Sequence, residues 1–409
     1  MKENISFDDT EIAFAHRSDS ELKEAYRLFS LMKNSWLVNI GTRLTPWMLR
    51  AGLPVKSTIR KTIFKHFVGG ETLAETASIA EKLSYYHVKV ILDYGAEGKE
   101  GEQNFDHACD EFIRVIEYAA TQPNIPYMSV KVTGFARFSL LEKLDAMIHA
   151  ADGNSLIKRY NYALQQLSFE ELNEWNRVYA RMRRICNAAN KKNIGVLVDA
   201  EETWIQDPVD ALTMLMMDEY NKNELVVYNT VQLYRHDRLP FLLKMYEAAV
   251  ERNFILGVKL VRGAYMEKER KRAEEIGYPS PIHPDKNATD KDYDEAVRFC
   301  INNIHKIGVI VATHNEASNL LATQLLKEKA LPFNHPHVHF SQLYGMSDNI
   351  TYNLAGAGCS VSKYLPFGPI NDVVPYLMRR AQENTSVKGQ TGRELILIKK
   401  ELKRRKKNL

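Results

Sequence analysis

Eight short β-branched runs, each followed by a polar residue and then a helical stretch, constrain this chain more than any other feature. They cover residues 88–93, 127–133, 195–199, 225–232, 255–261, 309–313, 338–343 and 360–364. Strands that alternate with helices pair in parallel, because each helix returns the chain to the same end of the sheet. Eight such units predict an α/β fold, a closed (βα)8 TIM-like barrel, with an open doubly wound sheet as the alternative. A chain of 409 residues is longer than one barrel needs. Residues 1–87 read as an N-terminal helical arm: apolar residues recur at three- and four-residue spacing over 21–32 and 73–83, with Ser20 placed to cap the first. The barrel is expected over 88–390, with a helical insertion at about 134–194 whose strongest segment is 170–191. A second long connection, 266–308, holds a charged helix start, three prolines (Pro279, Pro281, Pro284) and a helix over 292–306. Connections that long in a compact barrel are usually functional.

Residues 391–409 form a basic C-terminal tail. Positions 399–409 carry seven Lys or Arg against one Glu, a local +6 that leaves −2 for the rest of a chain whose net charge is +4. The tail is expected to be a solvated, partly frayed end; the competing expectation is contact with an anionic membrane surface. Basic residues interleaved with aromatics, the footprint of nucleic-acid binding, are missing from the sequence. So is any apolar run of the roughly 18–20 residues that a membrane-spanning helix requires. The four cysteines form no C-x-x-C pair and no H-E-x-x-H occurs, so no metal site is expected and a reducing compartment is. The first ten residues are acidic and resemble neither a secretory signal nor a transit peptide. These points predict a bacterial cytoplasmic protein, peripheral on the inner face of the cytoplasmic membrane if the tail binds there.

Reactive groups of such barrels sit at the C-terminal ends of the strands. The eight runs deliver Asp93, Lys131, Asp199, Gln232, Lys259 with Arg262, His314, Gln342 and Tyr364 to that end. One polar residue per strand end is ordinary; convergence from eight directions makes a charged pocket. Two segments say more. In 376–384, Arg379 and Arg380 are adjacent, Glu383 lies one turn on, and Tyr376 one turn back on the same face. This is either an exposed helix with an internal ion pair or a guanidinium pair offered to a carboxylate. In 259–265, a strand ends in Gly263-Ala264, where backbone can approach a flat or phosphorylated ligand, unless this is a plain βα turn. No G-x-G-x-x-G opens a helix after a strand and no G-x-x-x-x-G-K-[ST] loop occurs, which argues against a Rossmann site or a P-loop.

These two segments resemble the signature stretches of flavin-dependent proline dehydrogenases. Further matches follow in order at 67–72, 92–97, 129–131, 198–202, 312–315 and 342–346, so the resemblance spans roughly 60–390. It is nearer the monofunctional, mitochondrial-type members than the bifunctional bacterial ones. The resemblance implies FAD at the barrel mouth, oxidation of L-proline to Δ1-pyrroline-5-carboxylate, and electrons passed to a quinone. It places Arg379, Arg380 and Lys131 on the substrate carboxylate, and Tyr364, Tyr376, Leu260 and Tyr265 around the pyrrolidine ring. Glu97 pairs with Arg379 over bound substrate, and Glu383 belongs to the same set. Asp199, Gln232, Lys259, Val261, Arg262, Gly263, Ala264, Met266, Thr289, Thr313, His314, Asn315 and Gln342 surround the cofactor, with Asp199 and Lys259 at the reacting end. Bifunctional bacterial members carry an Arg where this chain has Lys259, a point charge in place of a fork. The Gln342 region is offset by one residue against some members, so Ser341 is the alternative there. Two rival readings are a Schiff-base aldolase using Lys131 or Lys259, which would be colourless, and a non-catalytic protein that binds lipid or a partner through its tail.

Overall fold

The computed structural model describes residues 5–34, 55–95, 100–386 and 390–407, with isolated positions (36, 38, 41, 42, 44, 48) between the first two; side chains at 382–391 are outside the description. Eight strands form one closed parallel barrel in sequence order. They are β1 (Lys89–Tyr94), β2 (Tyr127–Val130), β3 (Gly195–Val198), β4 (Val227–Gln232), β5 (Leu256–Val261), β6 (Ile307–Ala312), β7 (Val338–Leu343) and β8 (Val361–Phe367). All eight match the β-branched runs. The largest differences are at β2, which ends three residues before the predicted 133, and at β8, which continues three residues past Tyr364, so Tyr364 is a mid-strand residue and not a strand end.

Side chains alternate between the lumen and the surrounding helices along each strand. The polar partners fix which is which. Asn229 of β4 donates to Asp210 in helix Gln206–Tyr220 (2.9 Å), so Tyr228, Thr230 and Gln232 face the lumen. Thr230 is in register with Lys259, which puts Lys259 on the lumen side of β5 and Leu260 against the helices. In β7 and β8, Gln342 accepts from Thr351 (2.9 Å) and Lys363 pairs with Asp348 (2.9 Å), both partners in helix Asp348–Gly356. Ser341, Ser362 and Tyr364 therefore face inward.

Packing divides the chain into two compact units. In the unit spanning Ala96–His339 the expected insertion is three helices, Phe138–Ala150, Leu156–Gln165 and Phe169–Lys192. The last is set by a Ser168–Glu171 capping box and ends on Asn193 in the left-handed conformation. The predicted 292–306 helix instead runs Lys286–Asn302, because the Asp285 carboxylate caps it earlier. Tyr127 and Tyr228 pack edge-to-face in the lumen (5.7 Å), and a Cβ on Gly195 would sit 2.4 Å from the Tyr127 ring.

The other unit contains residues up to Gly95 and from Phe340 onward. Helix Asp19–Met32 is capped by Ser18 with Glu21, not by Ser20, since only Ser18 stands three residues before the reciprocating glutamate. The tail is a helix, Gln390–Lys407, and not a frayed end. Leu397 and Ile398 enter an apolar cluster with Phe14, Phe29 and Leu377. Glu401, fully buried, accepts from Arg404 and Arg405, and Arg405 reaches the Phe14 and Arg17 carbonyls. Composition advertised only the charge; the apolar stripe that docks the helix is Leu397 and Ile398, flanked by the partly buried Leu395 and Leu402.

Candidate active site

At the C-terminal ends of β2, β3 and β5, Asp199 sits between two ammonium groups. Lys259 forms a short ion pair with one carboxylate oxygen, and Lys131 lies 3.6 Å from the other. Asp199 and Lys131 each retain 13% side-chain exposure while Lys259 is buried. The chain beyond Asp199 is held firmly. Glu201 accepts from the Thr133 hydroxyl (2.8 and 2.9 Å), its amide donates to Gln206 (3.0 Å), and its carbonyl accepts from the Gln232 side-chain amide (3.0 Å). That last bond leaves Gln232 Oε1 buried with no partner. An unsatisfied buried acceptor signals a missing donor.

After β5 the segment turns at Gly263 (φ +139°), where any Cβ would strike the Tyr234 ring at 2.4 Å. Gly263 and Ala264 are exposed and Val261 half-buried. Arg262 is locked: it donates to Asp290 (2.8 Å), Thr313 (2.5 Å) and Ser318 (3.0 Å), with its guanidinium 4.3 Å over the Tyr293 ring. Thr313 and the half-buried His314 follow β6, and Asn315 caps helix Glu316–Glu328 through Ser318 N (3.2 Å). Thr289 lies in the first turn of Lys286–Asn302 with its hydroxyl turned to the Asp285 carbonyl. Tyr265 and exposed Met266 begin helix Met266–Ile276.

Two expected positions change. Leu260 is fully buried on the helix side of β5, so alternation removes it from the lumen and from any ring contact there. Gln342 is spent on Thr351 on the outer face of β7, and Ser341, its alternative, takes the lumen position.

In the other unit, Tyr364 is half-buried on the lumen face of β8. Arg380 is 5% exposed with its guanidinium 5.1 Å from the Tyr376 ring; Arg379 and Tyr376 are half-buried. An exposed helix with a surface ion pair does not describe this. Glu97 lies outside the described residues, as does the Glu383 side chain.

The chain matches the family described as proline dehydrogenase over residues 76–393, most of its length. It belongs to the proline dehydrogenase family. As a member it is an oxidoreductase that acts on proline, at the first step of proline catabolism. Among relatives, proline dehydrogenase 1, mitochondrial, from Dictyostelium discoideum is 31% identical over 428 residues, covering 97% of this chain and 74% of that protein. A hydroxyproline dehydrogenase from Xenopus laevis is 32% identical, covering 90% and 80%. Proline utilization A (PutA) from Bdellovibrio bacteriovorus, in a structure inactivated by N-propargylglycine, superposes with a TM-score of 0.69 at 18% identity. That likeness shows the fold; it covers 94% of this chain, which spans 40% of the PutA chain. The expected bacterial cytoplasmic location is overturned. Relatives of this proline dehydrogenase from Dictyostelium, Caenorhabditis elegans and Arabidopsis thaliana are named as mitochondrial enzymes of eukaryotes. Among the described residues no helix is long and apolar enough to cross a membrane.

Two residues that hold the segments around Asp199 escaped the sequence reading: Glu201, which ties β2, β3 and β4 together, and Glu269, which is fully buried in Met266–Ile276. Glu269 shares a helical face with buried Ala273, the available signal, but is one of four glutamates in that helix.

Proposed function

We propose that this enzyme removes hydride from C5 of L-proline, with loss of a proton from the ring nitrogen, giving Δ1-pyrroline-5-carboxylate, with FAD as the group it carries and a quinone as final acceptor. The observation that supports it best is Asp199 between Lys131 and Lys259 on the lumen side, next to a Gln232 oxygen that lacks a donor. That donor set fits a flavin: its ring N–H suits Gln232, and its electron-accepting end suits a lysine. The flavin supplies hydride acceptance, so no side-chain nucleophile is needed.

The chain's own residues bind and orient. Arg379 and Arg380 are assigned to the substrate carboxylate, where a charge-assisted hydrogen bond contributes about 1.5–3 kcal/mol. Lys131 is assigned to that carboxylate as a third cation, and Asp199, paired with both lysines, holds them in place. Tyr364 and Tyr376 are assigned to the pyrrolidine ring. Gly263 and Ala264 present exposed backbone, and Thr313, His314, Asn315 and Thr289 stand where the flavin's polar chain would run. Exposed Lys399, Lys403, Lys406 and Lys407 are the residues left for contact with an anionic membrane surface.

The test is the visible spectrum of the purified protein. A flavin band that bleaches with anaerobic L-proline is expected. A colourless protein that takes up no added FAD would overturn the proposal, and trapping of substrate by borohydride on Lys131 or Lys259 would favour the aldolase reading.

A further inference from the structure

Three successive residues of the β3 loop meet helix Met266–Ile276 side by side. Glu202 pairs with Lys268. Thr203 donates from its amide (2.8 Å) and its hydroxyl (2.7 Å) to the two carboxylate oxygens of Glu269. Trp204 lies under the Arg272 guanidinium at 4.2 Å. The outer two contacts are partly exposed; in the middle one Glu269 is fully buried and Thr203 half-buried. Loops at a barrel mouth are ordinarily the mobile part of the fold. Here the loop that starts at Asp199 is joined to the helix that starts just past Tyr265.

A buried carboxylate loses its hydration, and replacing such a group by apolar residues often leaves stability unchanged or improves it. Fold stability therefore accounts poorly for Glu269. Its geometry is specific: both oxygens are used, both by one residue, and that residue is four positions from Asp199. With Thr133 and Gln232 already holding Glu201, the Asp199 loop is fixed from β2, β4 and the β5 helix at once.

We propose that Glu269 is a positioning residue: through Thr203 it fixes the spacing between the Asp199–Lys131–Lys259 cluster and the Gly263–Tyr265 turn, and so sets the rate of proline oxidation without touching substrate. The inference rests on the function proposed above. A glutamine can keep both bonds, its oxygen accepting from the Thr203 amide and its NH2 donating to the hydroxyl; alanine keeps neither.

The experiment compares Glu269→Gln, Glu269→Ala and Thr203→Val by steady-state kinetics with L-proline and a soluble dye, and by hydrogen exchange over residues 199–206. Glu269→Ala is expected to lower kcat/KM tenfold or more, Thr203→Val severalfold, and Glu269→Gln less than threefold. Exchange in 199–206 should quicken in the order Gln, Val, Ala. If Glu269→Ala does not fold, the near-isosteric Thr203→Val carries the same test. Wild-type kinetics in the Ala and Val variants, with only thermal stability lowered, would overturn the proposal, as would a Gln variant as impaired as Ala. Exchange needs no substrate, so a protein inactive on proline would sink the functional reading while leaving the loop coupling measurable.

Discussion

Each compact unit contains a lysine that a barrel strand carries to an aspartate, and the two pairs have opposite characters. Lys259 projects into the lumen from β5 and shares Asp199 with Lys131, beside an exposed turn. Lys363 projects from β8 into the helix layer, 1% exposed, and shares Asp348 with Arg17 (2.8 Å) and with His16 (3.3 Å), which burial holds neutral at a pKa of about 4. Its ammonium also donates to the Met346 carbonyl (2.5 Å). The first pair keeps a solvent-facing side for a ligand. The second is closed, and it draws the N-terminal arm to the barrel. Identical chemistry thus divides into site and scaffold by one step of strand parity.

The sharpest way to break this contrast is to remove charge from each pair. Asp348→Asn leaves two buried cations without their counter-charge, and removing one partner of a buried pair costs about 3–5 kcal/mol. Urea denaturation should show that loss in full, with a smaller loss for Lys363→Met, which leaves Arg17 on Asp348. Lys259→Met should do the reverse: little change in the unfolding midpoint, since Asp199 keeps Lys131 and solvent, but severe loss of proline oxidation. If Lys259→Met unfolds the protein and Asp348→Asn does not, the division into site and scaffold is wrong.

Arg380→Met comes next. Its loss should raise the KM for L-proline by a factor corresponding to about 1.5–3 kcal/mol, with flavin content little altered. Normal binding of proline analogues by this variant would remove Arg380 from the carboxylate.

Strand count, order and most strand limits were legible, because a β-branched run between turn residues is a local signal. Parity was not. Lys259 and Lys363 both lie in β-branched runs, and only their partners, Asp199 and Asp348, reveal which faces the lumen. The same blindness assigned Leu260 and Gln342 to the site, where register puts the former against helices and the latter on Thr351. Tyr364 was read as a strand end, yet β8 runs on through Pro366 to Phe367. The tail was misread because seven cations mask Leu397 and Ile398. Glu269 was invisible for the same reason, one acid among several.

The closed character of the Asp348 cluster can be sharpened by pH. Glu394 accepts from the Ser347 amide (2.5 Å), and burial, helped by Asp348, raises its pKa from 4.5 to about 7. A carboxyl raised on folding contributes stability that is full below about pH 4.5 and lost as pH rises through 7. Glu394→Gln stays neutral throughout. It should match wild type near pH 5 and exceed it at pH 8, by roughly 1–2 kcal/mol in urea denaturation. A constant difference across that range would show that Glu394 is ionised at both ends.

The smallest effect tests the lumen side of the strand that carries Lys363. Tyr364 is its immediate neighbour, so alternation that turns the lysine outward must turn the tyrosine in. Relatives of comparable identity include both proline and hydroxyproline dehydrogenases, so family membership leaves the choice between these rings to local contacts. A phenol ring against the pyrrolidine leaves little room for a 4-hydroxyl, and pockets tolerate one extra heavy atom poorly. The enzyme should therefore prefer L-proline over trans-4-hydroxy-L-proline. Tyr364→Ser should lower kcat/KM for proline and narrow that preference by about 1–2 kcal/mol, the scale on which a pocket distinguishes one small group. The ratio of the two kcat/KM values in wild type and variant is the measurement. An unchanged ratio in a folded variant would mean that Tyr364 faces the lumen without lining the substrate's part of it, and the parity argument would then hold for scaffold but not for specificity.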